Sequence, residues 1–418
     1  MPAGDGRRPT AIGEPTAASD SVGSQGPVPE RSGATPPQAP RPPRSTNANA
    51  SRAPKRKGKI RVAIVHNVDF DLDAPSDEPG NAARAGIAHV ARAIERTLQD
   101  GAHVAQTIPV DGDLFQMRER LASYEPDVVF NLCESLCGDA RLESAVPLVL
   151  DGLSVPYTGS PPSALSAALY KDRVKALLHR AGVPTPESQV VGHESELRPM
   201  RYPAIVKPTR EDGSIGISST SVVYDEESCR RKVHEVSRAL KQPVLIERFV
   251  KGREFNVGLF GFPSARILPL SEIDFTRLPS HLPKIVSYEA KWSEGSTEDL
   301  GTVPVTFPQL PPAIAARIRK VALEAYRALG ARDYGRVDVR LSDDDGTPYV
   351  VDVNPNCDLA PESGLARAAA AVGIDYQAMM RLLVRYALRH RREGVVEVRS
   401  RRTNITSIAR SSQPSLFR

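Results

Sequence analysis

The pattern of apolar and polar positions changes its period along the chain. From Lys59 to Asp69 it reads KIRVAIVHNVD, a continuous apolar run of strand length that ends in polar residues, as a strand buried on both faces of a parallel sheet does. In NAARAGIAHVARAIERTLQDG, Ile87, Val90, Ala91, Ile94 and Leu98 recur at helical spacing, and Gly101 stops the helix. HVAQTIPV predicts a second strand, LFQMRERLASY a second helix and PDVVFNLC a third strand, with strand-like VPYTGS closing the unit near residue 160. Strands alternating with helices predict an α/β fold with a parallel sheet.

From Pro162 the order changes. SALSAALYKDRVKALLHRAGV predicts one helix ending at Gly182, and YPAIVKP, SSTSVVY and PVLIERFV predict strands around the charged helix DEESCRRKVHEVSRALK. Between Arg253 and Val305 the chain is strand and loop, with EFNVGLFG, ARILPLSEI and KIVSYEAKW as strands. The helix PAIAARIRKVALEAYRALG precedes ARDYGRVDVRLS and TPYVVDVNP, a hairpin across DDDG, and GLARAAAAVG and YQAMMRLLVRYALRHR are the last helices. There is no internal repeat.

Composition bounds this picture. At 418 residues, 40% hydrophobic and 25% charged, the chain has room for one large or two to three small domains. Its net charge of +5 gathers in RPPRSTNANASRAPKRKGKIR and RRTNITSIARSSQPSLFR, which read as solvated tails, so no nucleic-acid partner is expected. The prolines crowd PVPERSGATPPQAPRPPR, which cannot bury enough apolar surface to order itself. Residues 1–57 are therefore expected to be a disordered tail and 393–418 a second flexible one. The spans between them divide into 58–160, 161–251 and 252–392. No run approaches the roughly 18 apolar residues of a membrane span, and no signal pattern follows Met1, so the expected location is cytoplasmic. The four cysteines form no disulfide framework, and Cys133 and Cys137 lack a second pair at zinc spacing; both are expected to be buried apolar residues.

Three stretches suggest chemistry. YPAIVKPTREDGSIGIS places Lys207 at a strand end before a small-residue loop with Gly213, Ser214 and Gly216, a combination of point charge and approachable backbone amides that suits polyphosphate. VLIERFVKGREF sets Glu247 and Glu254 on either side of Gly252; they can flank an adenine-binding linker, or be exposed acids paired with Arg248 and Arg253. Strand alternation puts Arg336, Asp338 and Arg340 on one face of GRVDVRL, and Asp352 and Asn354 on one face of VVDVNP. Across the hairpin these make either an oxygen-rich magnesium site beside an arginine or an ion pair of Arg336 with Asp338 or Asp352.

Taken in order, VPYTGSPPSALSAALYKDRVKALLHRAGVPTP, PAIVKPTREDGSIGIS, VLIERFVKGREFNVGLFG, YEAKW, GRVDVRL and VVDVNPN resemble the ATP-grasp superfamily, and within it the D-alanine–D-alanine ligases, over roughly residues 58 to 390. The resemblance implies an ATP-grasp fold behind a parallel-sheet N-terminal domain. It also implies that Lys171 and Lys207 hold ATP phosphates and that Glu247 and Val250 belong to the adenine-contacting linker. Glu254 would bind the ribose. Lys291 would be a further phosphate contact, Arg336 would stabilise the transition state, and Ser214 would act in the loop beside them. Asp338, Asp352 and Asn354 would hold two magnesium (or manganese) ions, and Ser363 would meet a substrate carboxylate.

The chemistry implied is activation of a carboxylate by ATP followed by attack of an amine, on amino-acid or peptide substrates; a homodimer is compatible with it. Alternatives are the same ligase chemistry on a different amino acid or peptide pair, a phosphotransferase, and a nucleotide-binding sensor. The chain departs from the family in its substrate half. HNVDFDLDAPSDEPGNAARAG lacks the family's glycine-serine-glutamate pattern, leaving Asp69, Asp71, Asp73, Asp77 and Glu78 as candidate substitutes. Gly213 and Trp292 stand where the family has a serine and an aromatic hydroxyl, and Asp358 stands where it has an oxyanion-binding glycine. In NLCESLCGDARLESAVPLVLDG, Glu134, Asp139, Arg141 and Glu143 are candidates to face the substrate, half of them expected at the surface.

Overall fold

The computed structural model describes residues 59–68 and 81–390, the side chains of 81–85 excepted. Both tails and the acids Asp69, Asp71, Asp73, Asp77 and Glu78 lie outside the described residues. The first sheet is all parallel, in the order β2 (Val104–Val110), β1 (Arg61–Asn67), β3 (Val128–Asn131). The apolar run of β1 is buried on both faces, and the period of two divides it. Val62 and Ile64 pack with α1 (Asn81–Asp100), whereas Ala63 and Val65 pack with α2 (Leu114–Tyr124) and α3 (Ala145–Leu153). The stretch VPYTGS contributes a single parallel bridge, Val129 to Tyr157, rather than a strand.

Two antiparallel sheets follow. The smaller has the order β4 (Ser188–Val191), β7 (Val244–Arg248), β5 (Ala204–Pro208), β6 (Val222–Val223), covered by α6 (Glu226–Leu240) through Cys229, Val233 and Val236. The larger runs β11 (Val303–Thr306), β10 (Ser271–Asp274), β8 (Gly252–Gly261), β12 (Asp333–Ser342), β13 (Pro348–Asn354), with β9 (Arg266–Ile267) also paired to β8. One of its faces is packed by α9 (Pro312–Leu329), where Ile318, Val321, Ala322 and Ala325 meet Phe255, Val257, Val337 and Val339. The opposite period of β12 and β13 is left for polar residues. After β13, α10 (Gly364–Ala370) and α11 (376–390) return to the first core, where Met379, Met380, Leu383 and Val384 pack with α1.

The predicted elements differ from the structure at four further places. The helix expected through Gly182 is two, α4 (Pro162–Leu169) and α5 (Lys171–Arg180), because Tyr170 is extended (φ −93°, ψ 96°) and the Lys171 amide donates to the Thr209 carbonyl at 3.1 Å. Apolar spacing is helical on both sides of that break, so periodicity does not show it. KIVSYEAKW is no strand: Ser287 caps a short helix, α7 (Tyr288–Trp292), its Oγ accepting from the Ala290 amide at 3.3 Å, and α8 (Thr297–Leu300) follows. ARILPLSEI is divided between β9 and β10, and only Val222 and Val223 of SSTSVVY pair as strand. Cys133 is buried, as expected, whereas Cys137 is exposed on a turn with φ 52°.

At Gly335 β12 runs close against α9: a Cβ there would lie 2.7 Å from a Tyr326 ring carbon and 3.0 Å from the Asn354 carbonyl oxygen. Gly335→Ala is expected to lower stability by about 1–3 kcal/mol, the range for overpacking a buried site. The midpoint of urea unfolding measures this, and a midpoint equal to that of the parent protein contradicts the packing described.

Candidate active site

The strands and helices bring five distant positions to one cleft. Lys171 is the first residue of α5, set there by the break at Tyr170; its Nζ donates to the Glu211 carbonyl and lies 3.6 Å from Asp212. Lys207 comes from the end of β5, Lys291 from α7, Arg336 from β12 and Asp352 from β13. Burial pushes the Asp352 carboxyl up, but the positive charges of Lys171, Lys207, Arg336 and Lys291 outweigh it and hold the group below its ordinary range. Lys291 is held below its ordinary value by burial and by Arg336 beside it. The cleft is thus a cationic arc around Asp352, with Asp212 beside Lys171 and Asp338 on Arg336.

Across the hairpin Arg336 faces Asn354 and Asp338 faces Asp352, and the register then slips by a bulge after Asp338. Arg336 grips Asp338 in a fork, Nε to Oδ1 at 2.7 Å and Nη2 to Oδ2 at 2.9 Å, so the ion-pair alternative is realised in this structure. Asn256 donates to Asp338 Oδ1 at 2.8 Å and Asn354 Nδ2 to Oδ2 at 3.2 Å. That last bond sets the Asn354 amide with its nitrogen on Asp338 and its oxygen turned away from it. Among the described residues no group of three or more His, Cys, Asp or Glu could hold a metal. The carboxylates of Asp338 and Asp352 and the amide oxygen of Asn354, on adjacent strands, nevertheless fit a hard cation such as Mg²⁺ and would hold it if it bound there.

At the nucleotide end the two glutamates are not exposed acids. Glu247 is buried between Lys207, 3.0 Å from Oε1, and Lys175, which contacts Oε2. Glu254 is buried against Arg340, whose Nη1 donates to Oε2 at 2.6 Å. Arg253 pairs instead with Glu272 at 2.6 Å, and Arg248 lies over the Tyr349 ring at 4.8 Å. Arg340 also donates to the carbonyls of Val250 (2.7 Å), Lys284 (2.9 Å) and Gly252 (3.2 Å), so one guanidinium fixes the whole linker between β7 and β8. Gly252 itself has φ 138°, and a Cβ there would fall 1.9 Å from the Leu341 carbonyl oxygen, which only glycine allows.

Sequence reasoning missed Lys175 and gave Arg340 no role. Lys175 lies one helical turn after Lys171, a spacing that places both on one face and was legible. Arg340 continues the face of Arg336 and Asp338, but its partners lie 56 to 90 residues away and only the fold brings them together.

At the substrate end, three hydrogen bonds fasten the Gly213 loop to α7: Trp292 Nε1 to the Gly213 carbonyl (2.9 Å), Ser214 Oγ to the Val286 carbonyl (2.9 Å) and the Tyr288 amide to the Ile217 carbonyl (2.8 Å). Ser214 therefore ties the loop, at φ 64°. Ser363 is the N-cap of α10, its Oγ accepting from the Ala366 amide at 3.2 Å, and Asp358 Oδ1 accepts from the Ala360 amide at 2.8 Å. Asn356 joins the strand end to the first sheet's loop: it donates to Glu143 at 2.8 Å and accepts from Tyr334 Oη at 2.7 Å. Glu134 opens onto the same cleft, where the surrounding protein, Asp358 and Asp212 push its carboxyl up to about 8; burial likewise raises Glu143. Asp139 and Arg141 pair with each other at the surface.

Comparison with known proteins agrees with this geometry. Residues 177–385 match the family model described as D-ala D-ala ligase C-terminus. A D-alanine–D-alanine ligase of Gluconobacter oxydans is 32% identical over 293 residues, which is 70% of this chain and 90% of that protein. The protein y4sG of Sinorhizobium fredii is 30% identical over 348 residues, 80% of this chain and 98% of its own length. Among solved structures, a D-alanine–D-alanine ligase from Bacillus anthracis complexed with ATP has a TM-score of 0.62 at 21% identity, covering 81% of this chain and 99% of that one, a likeness of fold. On the sequence matches, the chain belongs to the D-alanine–D-alanine ligase family of ATP-grasp enzymes.

Proposed function

We propose that the protein is an ATP-dependent carboxylate–amine ligase that forms a peptide or amide bond between amino-acid or peptide substrates. The observation that carries this is the convergence of Lys171, Lys207, Lys291 and Arg336 on Asp352. Such an arc suits a triphosphate, and it supplies no nucleophile or general base of its own. A substrate carboxylate oxygen attacks the γ-phosphorus, the bond to the ADP oxygen breaks and ADP leaves. The amine nitrogen then attacks the acyl carbon, loses a proton, and phosphate departs with the former carboxylate oxygen.

In this scheme Lys171 and Lys207 hold phosphate oxygens, and Lys291 and Arg336 offset charge gathering on the transferring group. Val250 and Glu247 belong to the adenine linker and Glu254 faces the ribose, Arg340 fixing the linker and Glu254 from β12. Asp338, Asp352 and Asn354 would hold magnesium, which when bound polarises the phosphate oxygens. Asp358 and Ser363 border the acceptor end. A cytoplasmic location, where ATP and Mg²⁺ are supplied, belongs to this reading; no described helix is long and apolar enough to cross a membrane.

D-alanine is the first substrate to test. A different amino acid or peptide pair is favoured by Asp358, Gly213 and Trp292, which change the charge and shape of the substrate end. ADP release in the presence and absence of amino acids separates the outcomes. Release of ADP and phosphate that depends on an amine supports the ligase, whereas a phosphorylated product marks a phosphotransferase and absence of turnover with every pair marks a sensor. Asp352→Ala is expected to lower turnover at least about a hundredfold; unchanged turnover sinks the assignment of that strand end.

The Glu134 carboxyl also predicts a pH dependence. The protein around it, Asp358 and Asp212 push it up to about 8 from an ordinary value of 4.5, an effect that solvent partly screens because the side chain is exposed. Its contribution to stability is therefore fully present below the unfolded value and is lost as pH rises through the folded one. In Glu134→Gln the fall in thermal stability between about pH 5 and 9 is expected to be shallower than in the parent protein. Superimposable profiles contradict the assignment.

A further inference from the structure

Behind the phosphate lysine lies a buried polar chain that the proposed reaction does not use directly. Lys175 and Glu247 are 6% and 1% exposed, and Thr185 is 7% exposed. Val350 on β13 accepts from Thr185 Oγ1 at 2.9 Å, Thr185 Oγ1 accepts from Lys175 Nζ at 2.5 Å, Lys175 contacts Glu247 Oε2, and Glu247 Oε1 accepts from Lys207 Nζ at 3.0 Å. The Val350 amide donates to the Pro184 carbonyl at 2.8 Å, so the segment carrying Thr185 brackets β13 two residues before Asp352. A hollow of about 10 Å³, the room of roughly one water, is lined by Lys171, Lys175 and Asp352 with Val174, Leu178 and Val351.

Charge counting gives this arrangement a meaning. A buried glutamate against one lysine makes a neutral pair, and a neutral Lys207 pair has little attraction for phosphate. With two lysines on one carboxylate the trio keeps a net positive charge. Burial raises the Glu247 carboxyl, but Lys175 and then Lys207 outweigh it, and the group stays below its ordinary range. A buried salt bridge is weak evidence for stability in itself, because desolvating its charges offsets their attraction. Retention of both lysines on Glu247 therefore calls for a second reason.

We propose that Lys175 is a positioning and charge-setting residue: it neutralises Glu247 from behind, so that Glu247 fixes the Lys207 ammonium in place while Lys207 remains a net cation toward the ATP phosphates. This deepens the ligase reading and rests on it. Through Thr185 the same lysine ties the phosphate-binding strand β5 to β13, so the metal-binding carboxylate and the phosphate lysine share one anchor.

The test is calorimetric titration of the full chain with ATP and, separately, adenosine. Lys175→Gln keeps reach and hydrogen-bonding capacity but removes the charge; it is expected to weaken ATP binding roughly tenfold or more and to leave adenosine binding within about twofold. Lys175→Arg is expected to recover most of the ATP affinity. Equal losses for ATP and adenosine show a merely structural role and overturn the proposal, as does an unchanged ATP affinity. Should Lys175→Gln not fold, Thr185→Val, which removes the anchor of Lys175 together with its tie to the Val350 carbonyl, is expected to weaken ATP a few-fold with adenosine unaffected, and an unaltered ATP affinity there overturns the proposal equally. A parent protein that binds neither compound removes the ligase reading and this proposal with it; one that binds adenosine as tightly as ATP removes this proposal alone.

Discussion

Lysine and arginine side chains repel one another, and holding several in one cleft costs free energy unless negative groups stand among them. Asp352 is the carboxylate that all four of Lys171, Lys207, Lys291 and Arg336 act on, with Asp212, Glu247 and Asp338 each paired to one of them, and much of the surrounding structure serves to hold this set together. The break at Tyr170 swings α5 so that Lys171 enters the cleft. Three hydrogen bonds hold α7, and Lys291 with it, against the Gly213 loop. The fork between Arg336 and Asp338 fixes the guanidinium on β12. Two further buried pairs, Lys175 with Glu247 and Arg340 with Glu254, settle the charges behind this front.

The ATP half of this arrangement was legible in the sequence because its residues sit in strands whose period is unambiguous. GRVDVRL and VVDVNP alternate strictly, so Arg336, Asp338, Asp352 and Asn354 fall on one side of a hairpin whatever the rest of the fold does. The apolar run of β1 and the helical spacing of α1 likewise dictate the first sheet and its cover. What the sequence concealed depends on long-range hydrogen bonds. Nothing in SALSAALYKDRVKALL announces that Lys171 will bond its amide to Thr209, and nothing in KIVSYEAKW outweighs its strand-like start until Ser287 is seen as a cap. Glu247 and Glu254 read equally well as surface acids; burial, and the choice of Lys175 and Arg340 over Arg248 and Arg253, is decided by how the two antiparallel sheets meet.

The substrate half obeys a different logic. Trp292 replaces the expected hydroxyl contact with an indole N–H on the Gly213 carbonyl, so the loop is still fastened although the group that fastens it has changed. Glu134 and Glu143 face Asn356 and Asp358, making this end of the cleft acidic where the other is basic. The surrounding protein and neighbouring acids raise both carboxyls, which limits the repulsion among Glu134, Glu143 and Asp358.

The central claim is that a substrate carboxylate is activated by direct transfer of the γ-phosphoryl group. The most direct measurement follows the oxygen: an amino-acid substrate whose carboxylate carries ¹⁸O is turned over with ATP, and the released phosphate is examined by mass spectrometry. One labelled oxygen per phosphate is the predicted result, since the acyl phosphate breaks at the acyl carbon. Phosphate free of label, formed alongside ADP and the joined product, contradicts the account.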